Sequence, residues 1–279
     1  MIVFATELEK ALRDVERAVI SSDVDGLKSC ASSWRLPGEL SSAVLSVSLG
    51  LIRFSPKPRA GRFIVFSGVD KSGKETHCFN TGRVGGIISA YDHLTSSGFR
   101  VLPIRQPAYD TLLGSLVGAH LGRRVPGLEV RDRVKEEFAW ILWSLDRAQF
   151  NEEVARWLSL TSENVVLAKR WTESHAVYQP EVGVSYERVM SFERNVVKQD
   201  VTIVLDVPFE TALSRLHRRL HADNYEKASL MARVRERYLS LPIIYPYGEV
   251  YLVDASRSLA EVNRDVLSLL DELLRKGKG

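Results

Sequence analysis

A chain of 279 residues, 45% hydrophobic and 26% charged, is long enough to bury a substantial core. Its formal net charge of +3 is too small to suggest that it wraps nucleic acid, although local cations could still bind phosphate groups. Two cysteines, Cys30 and Cys78, are too few for a disulfide framework, and their spacing matches no metal motif.

The first residues do not resemble a targeting segment. Glu7, Glu9, Lys10 and Arg13 are interspersed in a helical pattern, which is not typical of a signal peptide. The longest apolar stretch, residues 40–52, is too short to span a bilayer. We therefore expect a cytoplasmic protein with neither a membrane nor a nucleic-acid partner.

The first 55 residues predict a small helical extension. Apolar residues recur at helical spacing over 3–20, a second helix follows Ser22 as its cap and runs to about residue 33, and a third covers 39–51. Residues 54–62 contain two prolines, a glycine and several cations without periodicity, so they read as a linker.

The remainder, residues 62–279, predicts one α/β domain. Short buried-strand patterns occur at 63–66, 100–104, 164–167, 201–207 and 249–253. Helical patterns lie between or after them, at 86–96, 110–121, 130–159, 186–197, 209–220, 226–240 and 258–275. Strands that alternate with helices indicate a parallel sheet, here of about five strands, with helices on both faces.

A glycine- and lysine-rich loop follows the first of these strands and precedes a helical segment, which is the context of a P-loop. It consists of Gly68, Val69, Asp70, Lys71, Ser72, Gly73, Lys74, Glu75 and Thr76. Glycines let backbone N–H groups surround the phosphates of ATP, and Lys74 would add a point charge. The competing interpretation is a solvated surface turn.

Two features of this region depart from the P-loop pattern. The residue after the lysine is normally Ser or Thr, whose hydroxyl ligates Mg²⁺, but here it is Glu75. A carboxylate can bind Mg²⁺ yet opposes the phosphates, so Glu75 is only a tentative metal ligand. Glycines at 82, 85 and 86 weaken a helix, which predicts a late or interrupted helix there.

From this loop onward the chain resembles the thymidylate kinases, with short fragments in the family's order. They are the loop itself, Arg105-Gln-Pro107, Trp143-Ser-Leu-Asp-Arg147, Lys169-Arg170-Trp171 with Ala176-Val-Tyr178-Gln179, Asp200–Val207, Tyr225–Leu239, and Val253-Asp-Ala-Ser256. The resemblance covers about 200 residues and leaves out the first 60.

The resemblance implies ATP- and Mg²⁺-dependent phosphorylation of dTMP to dTDP by a homodimer. It implies that Arg105 and Arg170 grip the acceptor phosphate and that Arg147 contacts the thymine edge. Asp70 would accept a hydrogen bond from the deoxyribose hydroxyl, and Lys71 would act with Lys74 on the transferred phosphoryl group. Further roles would be base stacking by Trp143, substrate contact by Tyr178 and Gln179, and a lid over ATP carrying Arg215, Arg218 and Arg219.

Structural interpretations compete with several of these roles. Arginines near helix ends are commonly solvated, Trp143 lies on an amphipathic helix that could bury it, and Tyr178 and Gln179 could be local packing. Residues 1–60 could pack on the kinase domain or across a dimer, or bind a partner.

Four positions differ from the family pattern: Ser67, Glu75 and Gln106 replace Glu, Ser/Thr and Glu, and Lys169 replaces Asp. Since the loop hydroxyl and the strand acid both face Mg²⁺, Glu75 and Lys169 are expected to be close. Lys169 could then do part of the metal's work, or the pair could fill the metal site. The alternative function is therefore a catalytically impaired relative that binds nucleotide or a partner, and another nucleotide kinase is also possible.

Overall fold

The computed structural model describes residues 1–80, 84–214 and 223–276 and has the α/β architecture expected from the sequence. A five-stranded sheet has the order β3-β5-β2-β6-β7 and is flanked by helices. Its strands are β2 (Arg62–Ser67), β3 (Arg100–Arg105), β5 (Asn164–Lys169), β6 (Val201–Asp206) and β7 (Glu249–Asp254). All five predicted strands are confirmed.

In the part of the chain that the structure describes, one to three α-helices follow each strand. They are α1 (Ala5–Ser21), α2 (Val24–Ala31), α3 (Gly38–Arg53), α4 (Lys74–Phe79), α5 (Ala90–Ser96), α6 (Leu112–His120), α7 (Glu136–Ala148), α8 (Asn151–Leu160), α9 (Thr172–Tyr178), α10 (Tyr186–Phe192), α11 (Phe209–Ser214), α12 (Asp223–Ile244) and α13 (Leu259–Lys276). Within the described ranges, no helix is both long and apolar enough to cross a membrane.

Strand β2 lies at the centre of the sheet, in parallel register with β5 and β6. Its side chains alternate between the faces, and both faces are buried. Ile64 and Phe66 join an apolar cluster with residues of β5, β6 and α13, while Phe63 packs edge-on against Trp171 at 5.1 Å. This burial on both faces explains why β2 reads as a continuous apolar run.

The chain forms two compact units. Unit one comprises residues 1–58, 105–156 and 182–197, and unit two comprises 59–104, 157–181 and 198–279. The predicted division into 1–55 and 62–279 therefore does not coincide with these units, and as a statement about domains it stays a prediction.

In unit one, the N-terminal helices are tied into the surrounding elements. Helices α1 and α3 pack on α7, and the Glu9 carboxylate accepts a 2.9 Å hydrogen bond from the Lys135 N–H at the start of α7. Arg194 donates to the carbonyls of Val19 and Ile20 at 2.8 and 2.9 Å, at the end of α1. The extension is thus an integral part of this unit's packing.

The structure corrects several element boundaries. The helix predicted over 130–159 is two helices, α7 and α8, and a strand, β4 (Glu129–Arg131), precedes them. Strand β4 pairs in parallel with β1 (Ile2–Phe4), and neither strand was predicted. The left-handed Asp132 (φ 67°) separates β4 from α7.

The second helix is capped by Asp23, not by Ser22. The Asp23 carboxylate accepts from the Gly26 N–H at 2.8 Å, whereas Ser22 closes α1 in a left-handed conformation (φ 58°). The interruption expected after the loop is confirmed, since α4 ends at Phe79 and α5 begins only at Ala90, with Ser89 as its cap.

Candidate functional site

The loop after β2 turns sharply at two glycines. Gly68 (φ 129°) and Gly73 (φ 98°) have backbone angles that other residues rarely adopt. A Cβ at Gly68 would lie 2.5 Å from the Leu205 carbonyl of β6, so only glycine allows this close approach. Lys71 is also left-handed (φ 63°), which strains a non-glycine residue. The loop is therefore a built, constrained turn.

Lys74 lies inside this loop. Its Nζ atom donates to the carbonyls of Gly68 and Val69 at 3.0 and 2.6 Å and to Ser72 Oγ at 3.3 Å, and the side chain is 7% exposed. Burial lowers the pKa of Lys74 well below its usual range, and the charge of Arg170 adds to this effect. A polyanion bound in the loop would oppose that shift, because a nearby negative charge favours the ammonium.

Arg170 connects the end of β5 to the loop. Its Nη2 atom donates to Asp70 Oδ1 at 2.6 Å and to the Tyr178 hydroxyl at 3.2 Å, and its Nη1 atom donates to the Tyr238 hydroxyl at 2.9 Å. The guanidinium holds the pKa of Asp70 below its ordinary value. Asp70 is therefore an ionised hydrogen-bond acceptor beside Arg170 at neutral pH.

A buried network of hydrogen bonds holds Tyr238, which accepts a hydrogen bond from Arg170. The Glu173 carboxylate, 0% exposed, accepts from the hydroxyls of Ser67 and Ser174 at 2.7 and 2.8 Å. Tyr238 lies within 3.1 Å of both serine hydroxyls and also accepts from Arg170. The sequence predicted no role for Glu173 or Tyr238, because each contacts its partners only through the folded chain. The one available signal was Ser67, where the family pattern has an acid.

Glu75 and Lys169 form an ion pair, as the sequence suggested. Lys169 Nζ lies 2.8 Å from Glu75 Oε2, and the side chains are 25% and 49% exposed, respectively. Lys169 ends β5 in register with Phe66 of β2, so it lies beside the start of the loop. The pair thus occupies the two positions that hold Mg²⁺ in P-loop proteins.

The residues present do not fit a metal held by the protein. Mg²⁺ bound to Glu75 would share the carboxylate with an ammonium about 4–6 Å away, a repulsion of several kcal/mol even at an intermediate dielectric. The Glu75–Lys169 pair is therefore not a binding site for Mg²⁺.

Unit one contains the candidate base-contact residues. Arg147 is 2% exposed, and its Nη2 atom lies 2.5 Å from the fully buried Glu193 carboxylate, which also accepts from Ser144 Oγ at 2.7 Å. The Nε atom of Arg147 is buried and has no hydrogen-bond partner among the described residues. Such a buried donor without a protein partner is unusual in native structures.

Trp143 lies one helical turn before Arg147 on α7. It is half-buried and packs edge-on against His120 at 5.4 Å between ring centroids, whereas Phe138, Ile141 and Leu145 of the same helix are buried. Trp143 is therefore not a fully enclosed core residue.

The segment after β3 is held by a buried carboxylate. Asp146 accepts from the Ala108 N–H at 3.0 Å and from Gln149 Nε2 at 2.8 Å, and its own carbonyl accepts from Gln106 at 3.3 Å. Burial raises the pKa of Asp146 to about 7. Arg105, immediately before this segment, is exposed. Asp146 is a positioning residue that the sequence did not single out.

The remaining predicted site residues differ in burial and in the unit to which they belong. Gln179 is buried and Tyr178 is half-buried. The Arg170 guanidinium carbon lies over the Tyr178 ring, 5.0 Å from the ring centroid. The three arginines assigned to a lid, Arg215, Arg218 and Arg219, lie outside the described residues. In unit two, Arg170 and Tyr178 lie beside the loop residues Asp70, Lys74 and Glu75. The other three predicted residues, Arg105, Trp143 and Arg147, belong to unit one.

Known proteins resemble this chain over most of its length. The family model described as "Thymidylate kinase" matches residues 66–266. A probable thymidylate kinase of Thermococcus gammatolerans is 27% identical over 221 residues, which cover 78% of this chain and 99% of that protein. A thymidylate kinase of Pseudomonas syringae pv. tomato is 31% identical over 225 residues, covering 78% and 99% of the two chains. The first 65 residues lie outside the family model.

The buried Asp146 predicts a pH-dependent stability. Folding raises its pKa from 3.8 to about 7, so well below pH 3.8 the carboxyl is protonated in both the folded and the unfolded state and stability does not depend on pH through this group. As the pH rises to about 7, the unfolded state releases the proton first and the free energy of unfolding falls. Asp146→Asn, which keeps an acceptor for Ala108, should therefore gain roughly 2–3 kcal/mol relative to the native chain between pH 5 and pH 8.

The measurement is urea unfolding at both pH values, with Asp25→Asn on the exposed face of α2 as the matched control. A difference between Asp146→Asn and the native chain that does not change with pH would contradict this assignment.

Proposed function

This chain belongs to the thymidylate kinase family, and on that premise we propose that it transfers the γ-phosphoryl group of ATP to dTMP, giving dTDP. Membership of the family makes it a nucleotide kinase, and the base and the donor are the finer parts of the proposal. The observation that carries it is the buried Lys74 ammonium inside a loop whose close approach to β6 at position 68 only glycine allows.

The loop would bind the donor phosphates. Its carbonyls currently accept from Lys74 Nζ, and a triphosphate tail would replace these neutral partners with charged ones, which form stronger hydrogen bonds. An acceptor phosphate oxygen would then bond to the γ-phosphorus as the bond to the bridging oxygen of ADP breaks. Catalysis of this step is positioning and charge neutralisation, so no protein nucleophile is required.

Arg170 would hold the acceptor phosphate. Its guanidinium carries a forked set of N–H donors. Hydrogen bonds to Asp70, Tyr178 and Tyr238 hold it in place. Asp70 is ionised and exposed, which suits acceptance of a hydrogen bond from a deoxyribose hydroxyl. Arg105 and Lys71, both exposed, remain proposed phosphate contacts, as the lid arginines do.

Arg147 would recognise the base. Glu193 fixes the guanidinium, whose forked N–H donors suit a thymine carbonyl oxygen. Trp143, half-buried on the same face of α7, would stack on the ring. We also propose that the protein is a cytoplasmic homodimer and that Gln179 contacts the substrate.

A second candidate is a relative that binds nucleotide without turning it over, or that binds a partner. The Glu75–Lys169 pair favours it, because a closed ion pair could fill the space that a P-loop kinase leaves for metal. Another nucleotide kinase is the remaining alternative. Binding and turnover assays separate the three.

Removing the loop ammonium tests the donor site. Lys74→Ala should weaken ATP binding by roughly tenfold or more, since a charge-assisted contact to phosphate is lost in a buried position. Binding is measured by calorimetry, with far-UV circular dichroism to verify folding and Lys57→Ala, an exposed ion-paired lysine, as control. Unchanged ATP affinity in Lys74→Ala would exclude the loop as the phosphate cradle.

The reaction itself is tested by coupled ADP release with each nucleoside monophosphate. We expect dTMP to be the preferred acceptor, at a kcat/KM roughly tenfold or more above those of CMP and GMP, because a positioned base donor discriminates by hydrogen bonding. Faster turnover of CMP or GMP would overturn the base assignment. A melting shift with ATP but no ADP release with any acceptor would favour the binding protein instead.

A further inference from the structure

Lys169 is a cation at a position where P-loop proteins carry an acid. In P-loop proteins, an acid on the strand beside the loop and a hydroxyl after the loop lysine jointly hold Mg²⁺. Here the strand position carries an ammonium and the hydroxyl position carries a carboxylate, 2.8 Å apart. The charge at each position has changed, so the two substitutions compensate each other.

The position of Lys169 is set by rigid parts of unit two. It is the last residue of β5 and lies opposite Phe66 in the central strand, one residue before the strand ends at Ser67. Its neighbour Arg170 already contacts the loop through Asp70 at 2.6 Å. The Lys169 side chain is three-quarters buried, and its charge adds to the lowering of the Lys74 pKa. Lys169 is therefore a partly buried cation beside the loop and not a fully solvated surface lysine.

A metal-free triphosphate needs cations where Mg²⁺ would otherwise stand. We infer that the Lys169 ammonium, oriented by Glu75, contacts the donor phosphates and takes over charge neutralisation from a metal held by the protein. This inference rests on the proposed function, since it assumes that the loop binds a nucleoside triphosphate. Mg²⁺ can still accompany ATP from solution, but the protein offers it no anchoring pair.

The competing state is an ion pair that stays closed and keeps both side chains away from the ligand. The two states differ in one measurable respect. If Lys169 contacts phosphate, its loss weakens binding most when no metal shields the triphosphate. If the pair stays closed, the loss of Lys169 weakens metal-free ATP no more than Mg-ATP.

The experiment is calorimetric titration of the full chain with ATP, once in EDTA and once in excess MgCl₂. The native protein should bind ATP in the two buffers with affinities within about threefold of each other. Lys169→Met should bind metal-free ATP about tenfold more weakly, or ~1.4 kcal/mol, with a smaller loss in MgCl₂. Lys57→Met removes another ion-paired lysine and should match the native chain in both buffers.

A gain-of-dependence variant completes the test. Glu75→Ser with Lys169→Asp restores the hydroxyl and the acid, so this double variant should bind ATP about tenfold better with Mg²⁺ than in EDTA. Circular dichroism and thermal midpoints without nucleotide verify that each variant is folded.

Three results would overturn the inference. The first is that the native chain binds ATP only when Mg²⁺ is present. The second is that Lys169→Met loses the same factor of ATP affinity in EDTA and in MgCl₂. The third is that the double variant has the same ratio of ATP affinities in the two buffers as the native chain. Absence of ATP binding by the native chain in both buffers would instead overturn the proposed function, and the inference with it.

Discussion

The pairing register of β2 with β5 is the constraint on which the candidate site depends. Phe66 lies opposite Lys169, so the residues that follow each strand emerge side by side at the carboxyl edge of the sheet. A slip of one residue would turn Lys169 to the other face and remove it from Glu75.

This edge concentrates positive charge, and the fold balances it locally. Lys74 is held by carbonyl oxygens, Lys169 by Glu75, and Arg170 by Asp70 and two tyrosine hydroxyls. Such balance keeps the cations in place without ligand, yet leaves the pKa of Lys74 depressed by burial. A bound polyanion would relieve that cost, which couples phosphate binding to the charge state of the loop.

The fold was largely predictable because its main signals are local. Continuous apolar runs identify buried strands, and glycines around Lys74 after such a strand identify a P-loop-like turn. Even the contact of Glu75 with Lys169 followed from their places at one sheet edge. By contrast, the break between α7 and α8 was missed because helical periodicity continues across it, and β1 and β4 are too short to show a pattern.

The supporting residues of the site could not be predicted for a different reason. Glu173, Glu193 and Tyr238 act through partners that are distant in sequence, and a single glutamate in a helix carries no sign that it will be buried. Arg147 shows the same limit, since its pattern suggested a ligand contact but not the carboxylate that fixes it.

A crystal structure with a non-hydrolysable ATP analogue, dTMP and MgCl₂ tests the central claim most directly, namely that the chain supplies its own cation at the donor phosphates. The account predicts Lys169 Nζ within about 3 Å of a phosphate oxygen, with Glu75 still paired to it and no metal bound to the protein. A Mg²⁺ ion ligated by Glu75, with Lys169 directed away from the phosphates, would contradict it.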